Sequence, residues 1–453
     1  MSDTIMFHST NRKSEKVSFR DALLTGQAPD KGLYMPEKIP KIPLDEILSL
    51  KGKQYSEIAF EVMRRFLASD VSDSKLREIT KDAYDFEVPL EKVEGRQYLM
   101  WLDEGPTLAF KDFAARIMAR LMQHFLAEDN GPPLNILTAT SGDTGGAVAA
   151  AFQGMKGINV FVLFPREEVS ERQRKQMTTL GGNVSAIAVD GKFDDCQALV
   201  KQAFADSELK DLNLSSANSI NFGRLLPQSV YYFYAFSQLF EEAGEKVVFS
   251  VPSGNFGDLM GGLIAKKMGL PVSKFVVATN ENDEFTKFVE EGRYDKIVPS
   301  RNCLSTAMNV GHPSNLARLF DLYGGWMDET GKIHEMPDIE KIRGDMFAVS
   351  ISNEETKKTI TECFDTRGII LEPHGAVAWA GLKAYNKEVA EKPFAVSLET
   401  ADPAKFPETL LELGIDPPIP ESLKAVLSKE EKYEELPNDY ESFKKYLKEK
   451  ICP

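Results

Sequence analysis

From about Gln97 onward the chain repeats one pattern: a short apolar run, a polar or glycine-rich turn, then a helix-length segment. The runs are NILTAT (135–140), INVFVLFP (158–165), NVSAIAVDG (183–191), KVVFSVP (246–252), PVSKFVVAT (271–279) and PFAVSLET (393–400). Continuous rather than alternating apolar character means strands buried on both faces, hence parallel sheets covered by helices. The helix-length segments agree; in DDCQALVKQAFAD the apolar positions are 196, 199, 200 and 203, one helical face. The expected class is α/β with more than one lobe, and such sheets bind ligands beyond the carboxyl ends of their strands. The first hundred residues differ, with short helical segments such as Ser56–Leu67 between turn-rich links like GQAPDKGLYMPEKIPKIP (26–43). The expected organisation is an N-terminal domain over 1–96, a catalytic region of two α/β lobes over 97–400, and a charged helical tail over 401–453. In that tail ESFKKYLKEK (441–450) reads as a solvated face.

Composition narrows the function. Across 453 residues, 54 Lys+Arg against 69 Asp+Glu give a net charge of −15, which argues against nucleic acid or an anionic membrane as partner. A small anionic ligand stays open, because a few local cations override a distant net charge. No run approaches the roughly 20 apolar residues of a membrane span, and MSDTIMFHSTNRKSEKVSF lacks the apolar core of a secretory signal. Cys196, Cys303, Cys363 and Cys452 are far apart, without a CxxC pair, and five histidines are scattered. Neither a disulfide framework nor a metal site is expected, and a reducing cytoplasm is the expected compartment.

Five segments could carry chemistry. Lys111 lies between Phe110 and Phe113 at the start of a helix. The helix dipole and desolvation by the two rings both disfavour its cation and favour a neutral, nucleophilic amine. A snorkelling surface lysine fits the same spacing. Thr140-Ser-Gly-Asp-Thr-Gly-Gly146 follows a strand and precedes a helix, as does Ser253-Gly-Asn-Phe-Gly-Asp258. Glycines, hydroxyls and free N–H groups at such turns make anion cradles, or plain capped turns. Neither is a GxGxxG or a GxxxxGK[ST], so dinucleotide and P-loop readings lose support. Asn218-Ser-Ile-Asn-Phe-Gly-Arg224 suits a phosphate or carboxylate through its amides and guanidinium, or else caps a helix and forms an ion pair. Thr400 ends a strand, where a hydroxyl usually caps the next helix.

Taken together, FKD (110–112), TSGDTG (140–145), NSINFGR (218–224), SGNFGD (253–258) and ETADPAKF (399–406) resemble the threonine synthases, and VSFRDALLTGQAPDKGLYMPEKIP (17–40) resembles the opening domain of their longer microbial and fungal type. The resemblance covers about residues 5 to 410. It implies a fold type II enzyme using pyridoxal 5′-phosphate as a carbon–oxygen lyase. The reaction implied is O-phospho-L-homoserine and water to L-threonine and phosphate, by γ-elimination and β-addition of water, the last step of threonine biosynthesis. By the same resemblance Lys111 holds the cofactor covalently and moves protons, and Gly254, Asn255, Phe256, Gly257 and Asp258 form its phosphate loop. Thr400 bonds the pyridine nitrogen, a neutral partner expected to leave that nitrogen unprotonated. Ser141 and Thr144 receive the substrate α-carboxylate; Asn218, Ser219 and Arg224 hold its phosphate. Related enzymes often carry Asn where this chain has Asp143, so Asp143 must accept a hydrogen bond from the cofactor or be protonated.

His374, in LEPHGAV (371–377), reads as a polar residue at a helix start rather than a pocket residue. The expected partner is the small-molecule substrate, with the chain a monomer or homodimer. A phospho-lyase releasing 2-oxobutyrate from the same substrate shares these motifs. A serine or threonine dehydratase has no need of the Asn218/Ser219/Arg224 set, and a nucleotide-binding dehydrogenase lacks its glycine signature.

Overall fold

The computed structural model describes residues 4–129 and 131–451, with the side chain of Asp129 excepted; Cys452 lies outside the described residues. Two sheets organise it. Five parallel strands run in the order Glu434–Pro437, Val184–Asp190, Ile158–Pro165, Leu134–Ala139, Leu214–Ser216. Six strands run in the order Met346–Ser350, Val272–Thr279, Val247–Pro252, Ala395–Glu399, Gln97–Trp101, Leu90–Glu94. In this sheet only the last pair is antiparallel. The strands read from continuous apolar runs are central in these sheets and almost wholly buried, as burial on both faces requires.

The 19-residue helix Lys111–Asp129 leaves the six-stranded sheet after Gln97–Trp101 and feeds the first strand of the other lobe, Leu134–Ala139. Its start therefore lies between the lobes. Three strands end on the same space: Leu134–Ala139 runs into Thr140, Val247–Pro252 into Ser253, and Ala395–Glu399 into Thr400.

Two expected boundaries move. Leu90–Glu94 pairs with Gln97–Trp101 as a hairpin, so the catalytic sheet starts before residue 97 and a cut at 96 would split it. The segment after Ala401 is not only helical or solvated. Glu434–Pro437 adds a parallel edge strand beside Val184–Asp190, and the helix Tyr440–Ile451 buries Phe443 and Leu447 against Phe161, Leu199 and Val200. A helix so rich in Lys and Glu still folds down because one apolar stripe, positions 443 and 447, meets that cluster.

The N-terminal segment packs on both lobes through aromatic edges, Phe7 on Phe222 (4.9 Å) and Tyr55 on Phe113 (5.2 Å). Arg318, fully buried, clamps it: Nε donates to Tyr34 O (3.0 Å), Nη1 to Ser219 O (2.9 Å) and Nη2 to Ile220 O (2.6 Å).

Candidate active site

One cleft between the lobes is lined by Lys111, Ser141, Asp143, Thr144, Asn218, Ser219, Arg224, Gly254, Asn255, Phe256, Gly257, Asp258 and Thr400. Every residue expected from the sequence to hold cofactor or substrate thus lines the same space, although the segments are far apart in the chain.

Lys111 is placed by local hydrogen bonding. Asp112 accepts from Thr107 N (2.8 Å) and Thr107 Oγ1 (2.6 Å), closing the turn before the helix. Phe110 N donates to Thr400 O (2.9 Å), tying this turn to the end of Ala395–Glu399. Lys111 is 9% exposed and its Nζ sits 4.3 Å from the Phe110 ring centre. Phe113 does not share that task; it turns into the aromatic cluster of Tyr55, Tyr84, Phe86 and Tyr231.

Burial pulls the Lys111 amine below the ordinary lysine range, with Asp143 opposing and Lys405 assisting. Asp143 Oδ2 is 3.6 Å from Lys111 Nζ, and Asp143 Oδ1 is 2.6 Å from Lys405 Nζ. Gln173 Nε2 donates to the same Oδ1 (3.0 Å). Burial alone would raise the Asp143 carboxyl, but Lys405 and Lys111 overcome it and hold the acid well below its usual range. Asp143 is therefore a carboxylate, an acceptor. Of the two forms open to it in the sequence, the protonated one is excluded by a lysine that sequence reading did not assign.

The turn at 140–146 is held by Thr140 Oγ1, which accepts from Gly142 N (2.9 Å) and Gly145 N (2.8 Å). That leaves Ser141 and Thr144 on the rim where the helix Asp143–Phe152 begins. In the second turn Phe256 takes a left-handed conformation (φ 61°) to cap the 12-residue helix Gly257–Met268, whose first N–H groups have no intrahelical acceptor. A Cβ on Gly254 would stand 2.7 Å from Met308 Cα, so only glycine lets the backbone lie this close. The Asp258 side chain is not part of the cradle. Tyr231 and Tyr232 donate to its Oδ1, and burial raises its carboxyl to about 6. It locks the turn from behind.

Arg224 is 3% exposed, donates from Nη1 to Ala217 O (2.6 Å), leaves Nε without an acceptor, and forms no ion pair among the described residues. Burial lowers the guanidinium to about 10. Beside it, Asn218 Nδ2 donates to Ala139 O (2.8 Å). Contrary to expectation, His374 lines the cleft: Nε2 accepts from Ala307 N (3.1 Å) and Nδ1 meets Glu372 Oε2. Glu372 also accepts from Thr400 Oγ1 (3.0 Å). Glu372, His374 and Lys405 were not assigned from the sequence. For Lys405 the signal was present in ETADPAKF, but a Pro-Ala-Lys stretch reads as an ordinary turn.

The site suits a pyridoxal phosphate. It offers a buried amine, a helix N-terminus with open N–H groups for a phosphate, and the buried Asp143 Oδ2, which lacks a hydrogen-bond donor and faces the lysine. Arg224, a buried cation with no ion pair among the described residues, leaves room for a further anion.

Comparison with known proteins agrees. Residues 89–399 match the family described as pyridoxal-phosphate dependent enzyme, residues 6–84 the threonine synthase N terminus, and residues 376–447 the threonine synthase C-terminal region. The threonine synthase of Pseudomonas aeruginosa is 40% identical over 458 residues, covering 95% of each chain. The crystal structure of PLP-bound threonine synthase from Brucella melitensis superposes with a TM-score of 0.91 at 34% identity, covering 99% of this chain and 100% of that one. The yeast threonine synthase structure gives 0.89 at 32%, covering 99% of each. With the cleft, its lysine and these likenesses in hand, the chain belongs to the threonine synthase family of pyridoxal-phosphate enzymes.

Proposed function

We propose that this cleft converts O-phospho-L-homoserine and water to L-threonine and phosphate, with Lys111 as the proton-moving residue and Arg224 as the phosphate anchor. Pyridoxal phosphate, when bound, supplies the electron sink for carbanions formed next to the substrate's α-carbon. Lys111 would hold it, the amides of 254–258 would receive its phosphate, and Thr400 would serve its ring nitrogen.

The Lys111 amine, whose hold on its proton burial weakens, takes the α-proton and returns it at the end of the turnover. Asp143 limits that depression and so keeps the amine basic enough to accept a proton. Ser141 and Thr144 orient the α-carboxylate on the N-terminus of Asp143–Phe152. Asn218, Ser219 and Arg224 orient the γ-phosphate and stabilise it as it departs. Closure around a cleft between two lobes excludes bulk water until a single molecule adds at the β-carbon.

The observation that carries this reading is the buried, unpaired Arg224 in the same cleft as Lys111. A buried cation without a counter-ion is costly unless a ligand supplies one. Arg224→Gln should raise KM for the phosphorylated substrate about 10- to 100-fold, the loss of a charge-assisted bond worth roughly 1.5–3 kcal/mol. It should also raise the melting temperature of the free protein. Incubation with O-phosphohomoserine and the cofactor, with the product identified by mass spectrometry, should give threonine; 2-oxobutyrate as the product would overturn the reading.

A further inference from the structure

A second cavity adjoins the cleft, and no part of the chemistry above uses it. It holds about 110 Å³, room for several waters at roughly 10–15 Å³ each. It shares Ala139, Gln197, Asn218, Asn255 and Val310 with the cleft, so a single layer of side chains divides the two. Two of these are pinned: Asn218 Nδ2 donates to Ala139 O (2.8 Å), and Asn255 Oδ1 accepts from Ser314 N (2.8 Å) and Ser314 Oγ (3.0 Å). Gln197 makes no hydrogen bond among the described residues. The divide therefore has a side chain free to move, in the same wall as Asn218, whose neighbour Ala217 accepts from Arg224 Nη1.

The helix Phe193–Ala205 joins the two spaces. It buries Cys196, Leu199, Val200 and Ala203 against its own lobe. The adjoining stripe is Phe193, Gln197, Lys201 and Phe204, each three or four residues from the last and so on one helix face. Phe193 lines the cleft, Gln197 lines both spaces, and Lys201 and Phe204 line the second. From Phe193 to Lys201 the helix rises about 12 Å, so this face leads from the cleft to a lysine at the outer rim. Lys31 also lines that cavity, from a turn of the N-terminal segment closed by Lys31 N on Ala28 O (2.8 Å) and Ala28 N on Gly32 O (3.1 Å). Both lysines are exposed and form no ion pair among the described residues.

We propose that this second cavity is the route by which inorganic phosphate passes between Arg224 and solvent, with Lys31 and Lys201 as the cations that receive it at the rim. This rests on the reading that Arg224 anchors the substrate's phosphate, and it gives the leaving group a path of its own. Two carboxylates also line the cavity, but both are engaged. Glu329 Oε2 accepts from Asn11 Nδ2 (2.9 Å); Asp328 Oδ1 accepts from Thr330 Oγ1 (2.6 Å), and its Oδ2 meets His334 Nε2 (2.7 Å). His312, in the same lining, is neutral: burial and then Lys296 lower it to about 4, Lys201 adds to them, and Asp328 opposes. Another side cavity meets the cleft at Ser141 and Phe193 and has the opposite balance, Glu168 and Asp194 against Lys192. Of these, Asp194 also acts on Lys201, opposing its desolvation. A departing phosphate anion finds free ammonium groups in one direction and an excess of carboxylate in the other.

The test follows inorganic phosphate as it exchanges with the cofactor-loaded protein, by ³¹P saturation transfer, which with the binding constant gives its association rate. Charge reversal at both rim lysines, Lys31→Glu with Lys201→Glu, should slow association about 10-fold at low salt, the low end of what electrostatic steering gives. The effect should fade at high ionic strength, where exposed charges are screened. Lys31→Arg with Lys201→Arg should leave the rate as it is. So should Lys192→Glu, the same charge change made at the other side cavity. An unchanged rate in the double charge reversal overturns the proposal, and so does an equal loss in Lys192→Glu. Arg224→Gln separates this proposal from the reading beneath it. If that variant binds phosphate as tightly as the wild type, Arg224 is not the anchor, and the proposal falls with it.

Discussion

Asp143 lies between two ammonium groups, and its oxygens are divided between them: Oδ1 to Lys405 at 2.6 Å, Oδ2 toward Lys111 at 3.6 Å. Because the pair is almost wholly buried, breaking it leaves charge uncompensated, at a cost of about 3–5 kcal/mol. Its dependence on pH has a definite sign. An acid whose folded pKa is depressed stabilises the fold above its unfolded value and loses that contribution as pH falls toward the folded one. The melting-temperature gap between wild type and Asp143→Asn should therefore be constant from about pH 7 to pH 5 and narrow below about pH 4. A gap that does not change with acid would remove the ion pair as its source. Asp143 was legible in the sequence as a site residue; its charge state was not. That state is set by Lys405, which comes from the segment read as a tail.

At the scale of elements, helices and internal strands were legible because their cause is local. Ile158–Pro165 forms over the very residues whose apolar run announced it. Glu434–Pro437 could not be read this way. Its sequence, EELP, has no strand pattern, its side chains are mostly exposed, and it is a strand only because Val184–Asp190 offers an open edge. The helix that follows is pinned by Phe443 and Leu447, both fully buried. Phe443→Ala should cost about 3–5 kcal/mol, read as a lower unfolding midpoint. The kcat should stay near wild type, since Phe161, Leu199 and Val200 beneath it do not line the cleft, which the cluster reaches through Ala139 and Phe193.

For the molecule as a whole, Arg318 joins three parts of the chain that meet only in the folded state: the short strand Tyr34–Pro36 at Tyr34, the 218–224 segment at Ser219 and Ile220, and the helix Leu316–Leu322 it belongs to. It is fully buried and forms no ion pair among the described residues, so its hydrogen bonds do the holding. Arg318→Met would fill the space but leave those carbonyls unpaired, at roughly 1–3 kcal/mol each. The expected result is a lower melting temperature together with a higher KM for the phosphorylated substrate, through Ser219. An unchanged KM would mean that the N-terminal segment does not help shape the site. The sequence by itself determined the layered α/β architecture, the turns at strand ends and the residue types that ring the cleft, because periodicity and turn chemistry act over a few neighbouring residues. Only the tertiary structure decided which charges neutralise one another, Lys405 with Asp143, and which buried cation is left without a counter-ion among the described residues, Arg224. Those outcomes depend on distances between segments far apart in the chain and on the exclusion of water between them.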